Sequence, residues 1–303
     1  MLYQQRQNST LRLYHNRSQI SQVYAMTKKL LIIGTLGQGL DVETVCDTTS
    51  IETLHLRGRS SWFPEYIPQG WEVHKLVSSK LSFAEIQAEL AWLAGADIAR
   101  IYYTGHGFNV TQNGKKYVGY YLNKDNVFTA DFFVDNFVNK IKAKEVSLIL
   151  DMCFAGATKN QLMIKGVNGK LRSNIKTKGI TLNSQDIFLK SKEEGKIKLK
   201  KRVSVMCSSI AKNSSYGKLS GGKDDSWLTL NTRGNSWFTF NLISAFNTWG
   251  QIGSPYPEHK QGLSFIMRQT KRLDRMLKLC LPYASNIKPQ CPTGNNLKKA
   301  TVL

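Results

Sequence analysis

The sequence predicts an α/β protein, a mostly parallel sheet covered by helices on both faces. Short apolar runs of strand length recur along the chain, segments of helical periodicity separate them, and glycines stand at the junctions. At 303 residues, 41% hydrophobic and 10% aromatic, the chain has enough apolar material for a substantial core.

The elements follow in order. Leu30-Leu31-Ile32-Ile33-Gly34 reads as a buried first strand, closed by glycine. A loop carrying Gly34, Gly37 and Gly39 leads to Val42, Val45, Ile51 and Leu54, spaced for a helix through Leu56. Trp71 to Val77 alternates as a second strand. Ser82 then reads as an N-cap, with Glu85 three residues later completing a capping box for a helix that runs to Gly95. Asp97 to Tyr103 is the third strand, and Tyr117 to Leu122 belongs to a hairpin flap beyond it. Phe132, Phe133, Phe137 and Ile141 place a helix over about 129–142, with those aromatics in the core. Val146 to Leu150 is the fourth strand and Arg202 to Ser208 the fifth. Trp237 to Phe246 and Leu263 to Leu279 are helices, the second with basic residues on its wet face.

The net charge of +21 is unevenly distributed. Residues 1–40 hold five basic and no acidic residues, 157–202 hold 13 and three, and 255–303 hold nine and two. The remainder is close to neutral, so the basicity belongs to the tails and one insertion. Such runs form a solvated surface or attract nucleic acid or an anionic membrane at long range. The aromatic placement offers nothing for base stacking. The N-terminal stretch, polar and Arg-containing, has no apolar run of a secretory signal; it reads as a disordered extension or an organellar transit segment. Met26 is an alternative start that would remove little of the fold. No apolar run reaches membrane-spanning length, so an integral membrane protein is not expected. Five cysteines (Cys46, Cys153, Cys207, Cys280, Cys291) show no metal-type pairing, and their odd number points to a reducing, cytoplasmic compartment.

Two segments carry chemistry. The third strand ends in Tyr102-Tyr103-Thr104-Gly105-His106-Gly107, and the fourth in Leu150-Asp151-Met152-Cys153-Phe154-Ala155-Gly156. A His and a Cys thus leave equivalent ends of two strands, 47 positions apart. Residues leaving the C-terminal ends of parallel strands converge on one crevice. A thiol beside an imidazole becomes a thiolate near neutral pH, so Cys153 is the candidate nucleophile and His106 its base. Cys153, at a strand end before a turn, is expected to be exposed. Gly105 and Gly107 would let backbone approach a substrate. His15 and His259 lie in polar flanks. His55 and His74, on a predicted helix and strand, read as satisfied or surface imidazoles.

These two motifs, in this order and spacing, resemble the caspase-like cysteine peptidases, the superfamily of caspases, metacaspases and paracaspases. The resemblance spans roughly residues 29–292, though only the motifs are specific. It implies a three-layer sandwich with a six-stranded, mostly parallel sheet, and endopeptidase activity through an acyl-enzyme. It also implies that the backbone N–H groups of Gly107 and Cys153 hold the oxyanion. Ser236-Trp237-Phe238-Thr239 resembles the segment opening the family's penultimate helix, and Lys288 to Pro292 its final strand region. The chain then divides into an N-terminal extension (1–28), a large-subunit-like part (29–156), a linker-like insertion (157–202) and a small-subunit-like part (203–303).

Asp151 lies two positions before Cys153, on the same face of a strand. Members with Asp there cut after Arg or Lys, and Asp47 resembles the helix-1 acid of those members. Asp47 and Asp151 are therefore the expected S1 residues, and substrates with a basic P1 residue the expected partners. The competing reading has Asp47 capping a helix or facing water. The sequence departs from the paracaspase pattern after Cys207, where no acid follows, so lysine against arginine is left open. It also lacks the Asp-rich calcium segment of many metacaspases: Asp125, Asp131, Asp135 and Glu145 are scattered, and no cofactor or calcium is expected. In the insertion, Lys165, Lys170, Arg172, Lys176 and Lys178 are candidate self-cleavage sites. Two rivals stand beside the peptidase. A nucleotide-binding protein is disfavoured because the first loop reads Gly34-x-x-Gly37-x-Gly39, not the dinucleotide fingerprint. A catalytically silent caspase-like protein would bind partners or nucleic acid through its basic segments.

Overall fold

The computed structural model describes residues 26–37, 39–57, 70–112, 115–153, 175–177, 179–181, 189–190, 199–209, 216–219, 234–252, 263–280, 292–295 and 297. Its central sheet has five parallel strands, β1 (Lys28–Thr35), β2 (Trp71–Ser78), β3 (Ile98–Thr104), β7 (Glu145–Asp151) and β11 (Val203–Cys207). The spatial order is β11-β7-β3-β1-β2, and β13 (Thr293–Asn295), a three-residue segment, pairs antiparallel on the free edge of β11. The predicted Lys288–Pro292 strand region lies outside the described residues except for Pro292.

The apolar runs become strands because both faces of the sheet are covered, which removes the need for polar alternation. All seven residues of β3 are buried. On one face Leu31, Ile33, Ile101, Tyr103, Leu148 and Val205 pack against helix α2 (Phe83–Leu93) and helix α3 (Ala130–Asn136). On the other, Leu30, Ile32, Tyr102, Ile149 and Met206 meet α1 (Asp41–Arg57), α4 (Trp237–Ile252) and α5 (Leu263–Cys280). Each fully buried aliphatic side chain contributes roughly 1.5–3 kcal/mol. The expected mostly parallel sheet with helices on both faces is therefore present.

The capping box forms as read: Ser82 accepts from the Glu85 amide, and the Glu85 carboxylate accepts from the Ser82 amide. α5 turns Phe265, Ile266 and Met267 to the core and leaves Arg268, Arg272 and Arg275 exposed. Among the described residues no helix is long and apolar enough to cross a membrane.

One expectation is corrected and one is extended. The single helix over 129–142 stops at Phe137, whose φ −127° and ψ −71° leave the helical region, and a short 3-10 turn, Val138–Lys140, follows. Asn136, whose side chain bonds the Phe132 carbonyl, is a poor helix continuer. The flap is also more than a hairpin. The strands β4 (His106–Gln112), β5 (Lys115–Asn123) and β6 (Asn126–Thr129) form an antiparallel meander. Segments of the insertion extend it: β9 (Gly179–Thr181) pairs parallel with β4, and β10 (Leu189–Lys190) with β6. A third short strand there, β8 (Ile175–Thr177), pairs with β12 (Tyr216–Leu219).

Candidate active site

The register of β3 on β7 sets the site. Thr104 pairs with Asp151, and the Gly105 amide donates to the Asp151 carbonyl at 3.4 Å. His106 and Cys153 each stand two residues beyond that last pair, at the same end of adjacent parallel strands. Gly107 closes the gap: a Cβ placed on it would lie 2.0 Å from the Cys153 carbonyl oxygen and 2.9 Å from its carbonyl carbon. Only glycine fits there, because the backbone of the His-bearing segment rests on the peptide of Cys153. Gly105 (φ +153°) is required for a similar reason, since its Cβ would fall 1.8 Å from Thr35 Oγ1. The two glycines thus admit Thr35 and the Cys153 peptide on the side where a Cβ would stand.

Both functional side chains are buried, Cys153 completely and His106 to 5% exposure. The expectation of an exposed thiol is therefore wrong, although the sulfur is not in a disulfide. The β3–β4 corner is braced from below. Tyr103 donates its hydroxyl to the carbonyls of His106 at 3.2 Å and Tyr121 at 3.3 Å, while burial pushes its pKa up. Tyr121 pairs with His106 across β4 and β5 and presents its ring edge-on at 6.5 Å. The turn bearing Cys153 is held by hydroxyls following β11. Ser208 Oγ accepts from the Met152 amide at 3.2 Å, and both Ser208 and Ser209 donate to the Met152 carbonyl. Gly107 also pairs with Tyr120 on one side and Gly179 of the insertion on the other.

The two expected S1 carboxylates come together. Asp47 lies inside α1, fully buried, so it neither caps that helix nor faces water. It accepts from Thr104 Oγ1 at 2.9 Å and from the Ser236 amide at 2.8 Å. Asp151, equally buried, accepts from the hydroxyl of Ser236 and from Thr239 Oγ1 at 2.7 Å. Ser236 precedes α4, so both carboxylates face that helix's positive end. Tyr102 bonds the Thr239 hydroxyl, and its pKa is driven well up by burial, then by the fields of Asp47 and Asp151. Buried carboxyl oxygens need such donors to replace the water they lose.

Sequence reasoning missed Tyr103, Ser208, Ser209 and the site role of Ser236 and Thr239. Only the resemblance of Ser236–Thr239 to a family segment hinted at the last two. Of the candidate cleavage residues, Lys176 falls in β8, whereas Lys165, Lys170, Arg172 and Lys178 lie outside the described residues. His15 and His259 do too. His55 is buried and satisfied, bonded to the Ile51 carbonyl and Arg100, each at 2.8 Å. His74 bonds Glu89 and stacks on Trp92.

No curated protein matches the sequence. Among 70 matching solved chains, a Geobacter sulfurreducens protein known from its crystal structure aligns with TM-score 0.50 and 14% identity. The alignment covers 92% of this chain and 100% of that one, a likeness of fold alone. The family model for the caspase domain of the C14 peptidases matches residues 66–292, a span that includes His106, Asp151, Cys153 and Ser236 and begins after Asp47. With a match over most of its length, the chain belongs to the caspase-domain family of cysteine peptidases.

Proposed function

We propose that this protein is an active cysteine endopeptidase that cuts after Arg or Lys. The observation that supports the reading is the β3–β7 register, from whose last pair His106 and Cys153 each lie two residues on, with Gly107 seated on the Cys153 peptide. His106 takes the thiol proton, and the Cys153 sulfur attacks the scissile carbonyl. The N–H groups of Gly107 and Cys153 hold the developing oxyanion. The imidazolium then protonates the leaving amine as the C–N bond breaks, leaving a thioester. Water, deprotonated by His106, releases the acid and restores the thiol.

Asp47 and Asp151 form the base of the S1 pocket, where paired carboxylates select a cationic P1 side chain. The chemistry runs without calcium. The insertion, rich in lysine and arginine, is cut by the enzyme itself at one or more of Lys165, Lys170, Arg172, Lys176 and Lys178.

Fluorogenic peptides varying P1 among Arg, Lys, Asp and Asn, with calcium or chelator, test this directly. Cleavage after Arg or Lys should occur in either condition and fall at least about 10³-fold in Cys153→Ala. Cleavage that survives Cys153→Ala, or none after any residue, would leave the silent interaction protein as the better description. Mass spectrometry of incubated wild type and Cys153→Ala tests self-processing, and identical fragments in the two would remove it.

A further inference from the structure

We propose that Ser236 sets the spacing of the two S1 carboxylates and thereby makes the enzyme prefer arginine to lysine. This rests on the reading of Asp47 and Asp151 as the S1 pair. The two acids come from unrelated elements, the middle of α1 and the end of β7, and have no covalent reason to stand in a set relation. Among the described hydrogen bonds, Ser236 alone contacts both. Its amide donates to Asp47 Oδ1 at 2.8 Å, and its hydroxyl donates to Asp151 Oδ2.

The amide nitrogen and hydroxyl oxygen of one serine lie about 3 Å apart by covalent geometry. Each carboxylate is therefore held to one of two donors that belong to a single residue. Ser236 is itself anchored, because its carbonyl accepts the Phe240 amide at 2.9 Å in the first turn of α4. Two acids joined through one serine suit a cation that reaches both at once. A guanidinium is a planar fork with five donors and bridges two carboxylates, whereas an ammonium is a compact charge that favours one.

Each acid also keeps a donor that Ser236 does not supply, Thr104 for Asp47 and Thr239 for Asp151. Loss of the Ser236 hydroxyl therefore removes the link while leaving each carboxylate a partner, so the selective effect is readable. Rates on matched P1-Arg and P1-Lys peptides, using the full chain, provide the test. Wild type should favour Arg by about tenfold or more in kcat/KM. Ser236→Ala should lose about tenfold on Arg, mainly through KM, and less than about threefold on Lys, so the ratio collapses. Ser236→Thr, which keeps both donors, should restore the ratio, and Ser236→Cys, a weaker donor that folds in the same space, should fall between.

The rate of Cys153 alkylation by iodoacetamide should be the same in wild type, Ser236→Ala and Ser236→Thr, since the effect lies in the pocket. A wild type that prefers Lys, or an Arg/Lys ratio untouched by Ser236→Ala and Ser236→Cys alike, overturns the inference. A wild type that cuts after neither residue sinks the peptidase reading and this inference with it.

Discussion

The two ends of β3 bury opposite charges on the same face of the sheet and handle them differently. Arg100, Tyr102 and Thr104 alternate onto that face, and α1 crosses it with Asp47 near one end and His55 near the other, roughly 12 Å along the helix. At the C-terminal end, Asp47 and Asp151 are held by neutral donors: the hydroxyls of Thr104, Thr239 and Ser236, and an amide at the start of α4. At the other end Arg100, fully buried, bonds His55 Nε2 at 2.8 Å and lies over the Trp71 ring at 4.7 Å. Arginine can only donate, so Nε2 accepts and Nδ1–H donates to the Ile51 carbonyl. The imidazole is therefore neutral. Its pKa is lowered to about 3, first by burial and then by Arg100, while burial lowers Arg100 to about 10.

The lesson is in the setting of each charge. The cation is enclosed by core side chains, with Trp71 at 5.1 Å from the His55 ring and Phe246 at 6.3 Å, and serves the fold. The acids stand where the strands end, Asp151 two residues before Cys153 and Asp47 bonded to Thr104 two residues before His106, at the proposed peptidase site. Substitution at the cationic end should cost stability and spare selectivity, and the acidic end should do the reverse.

The largest expected effect is at the cationic end. His55 has an unfolded pKa near 6.5 and a folded value of about 3, so its contribution is complete above pH 6.5 and is lost as pH falls through 3. The span corresponds to on the order of 5 kcal/mol at full loss. Urea unfolding between pH 7 and 3 should show this decline, and His55→Gln, which accepts from Arg100 without titrating, should flatten it. An unchanged slope in His55→Gln would break the assignment of a neutral buried imidazole.

Next come the acids. Asp151→Asn and Asp47→Asn should each lower kcat/KM on a P1-Arg peptide by about 100-fold, with a smaller loss on a neutral P1. Equal losses on cationic and neutral peptides would make the pair structural and erase the contrast between the ends. The smallest effect calibrates the others. Ser82→Ala removes a capping box remote from both clusters and should cost about 1 kcal/mol in thermal unfolding, with P1 selectivity unchanged. A shift in selectivity there would mean that general loosening alone alters the pocket.

Much of this was legible in the chain. The central strands were visible because a strand covered on both faces is predominantly apolar, and β1, β3 and β7 each carry such a run, Leu30–Ile33, Ile101–Tyr103 and Leu148–Leu150. Ser82 and Glu85 announced their helix because capping is a local exchange of hydrogen bonds. The second sheet was not legible: β4 reads His-Gly-Phe-Asn-Val-Thr-Gln, without clean alternation, and follows β3 directly through Gly105. The insertion strands β8 and β9 are three residues each, and such segments become strands only when an edge is offered. The helix break at Phe137 was hidden because the aromatic spacing continues past it.

By itself the sequence determined the strand ends on which His106 and Cys153 stand, because hydrophobic runs and the residues that terminate them are properties of neighbouring positions. It also singled out Asp47 and Asp151. Only the tertiary structure decided that these acids meet at Ser236, that Tyr103 braces the histidine's carbonyl, and that Gly107 rests on the peptide of Cys153. Those relations join residues up to 189 positions apart, and a contact between distant segments exists only once the sheet has brought them together.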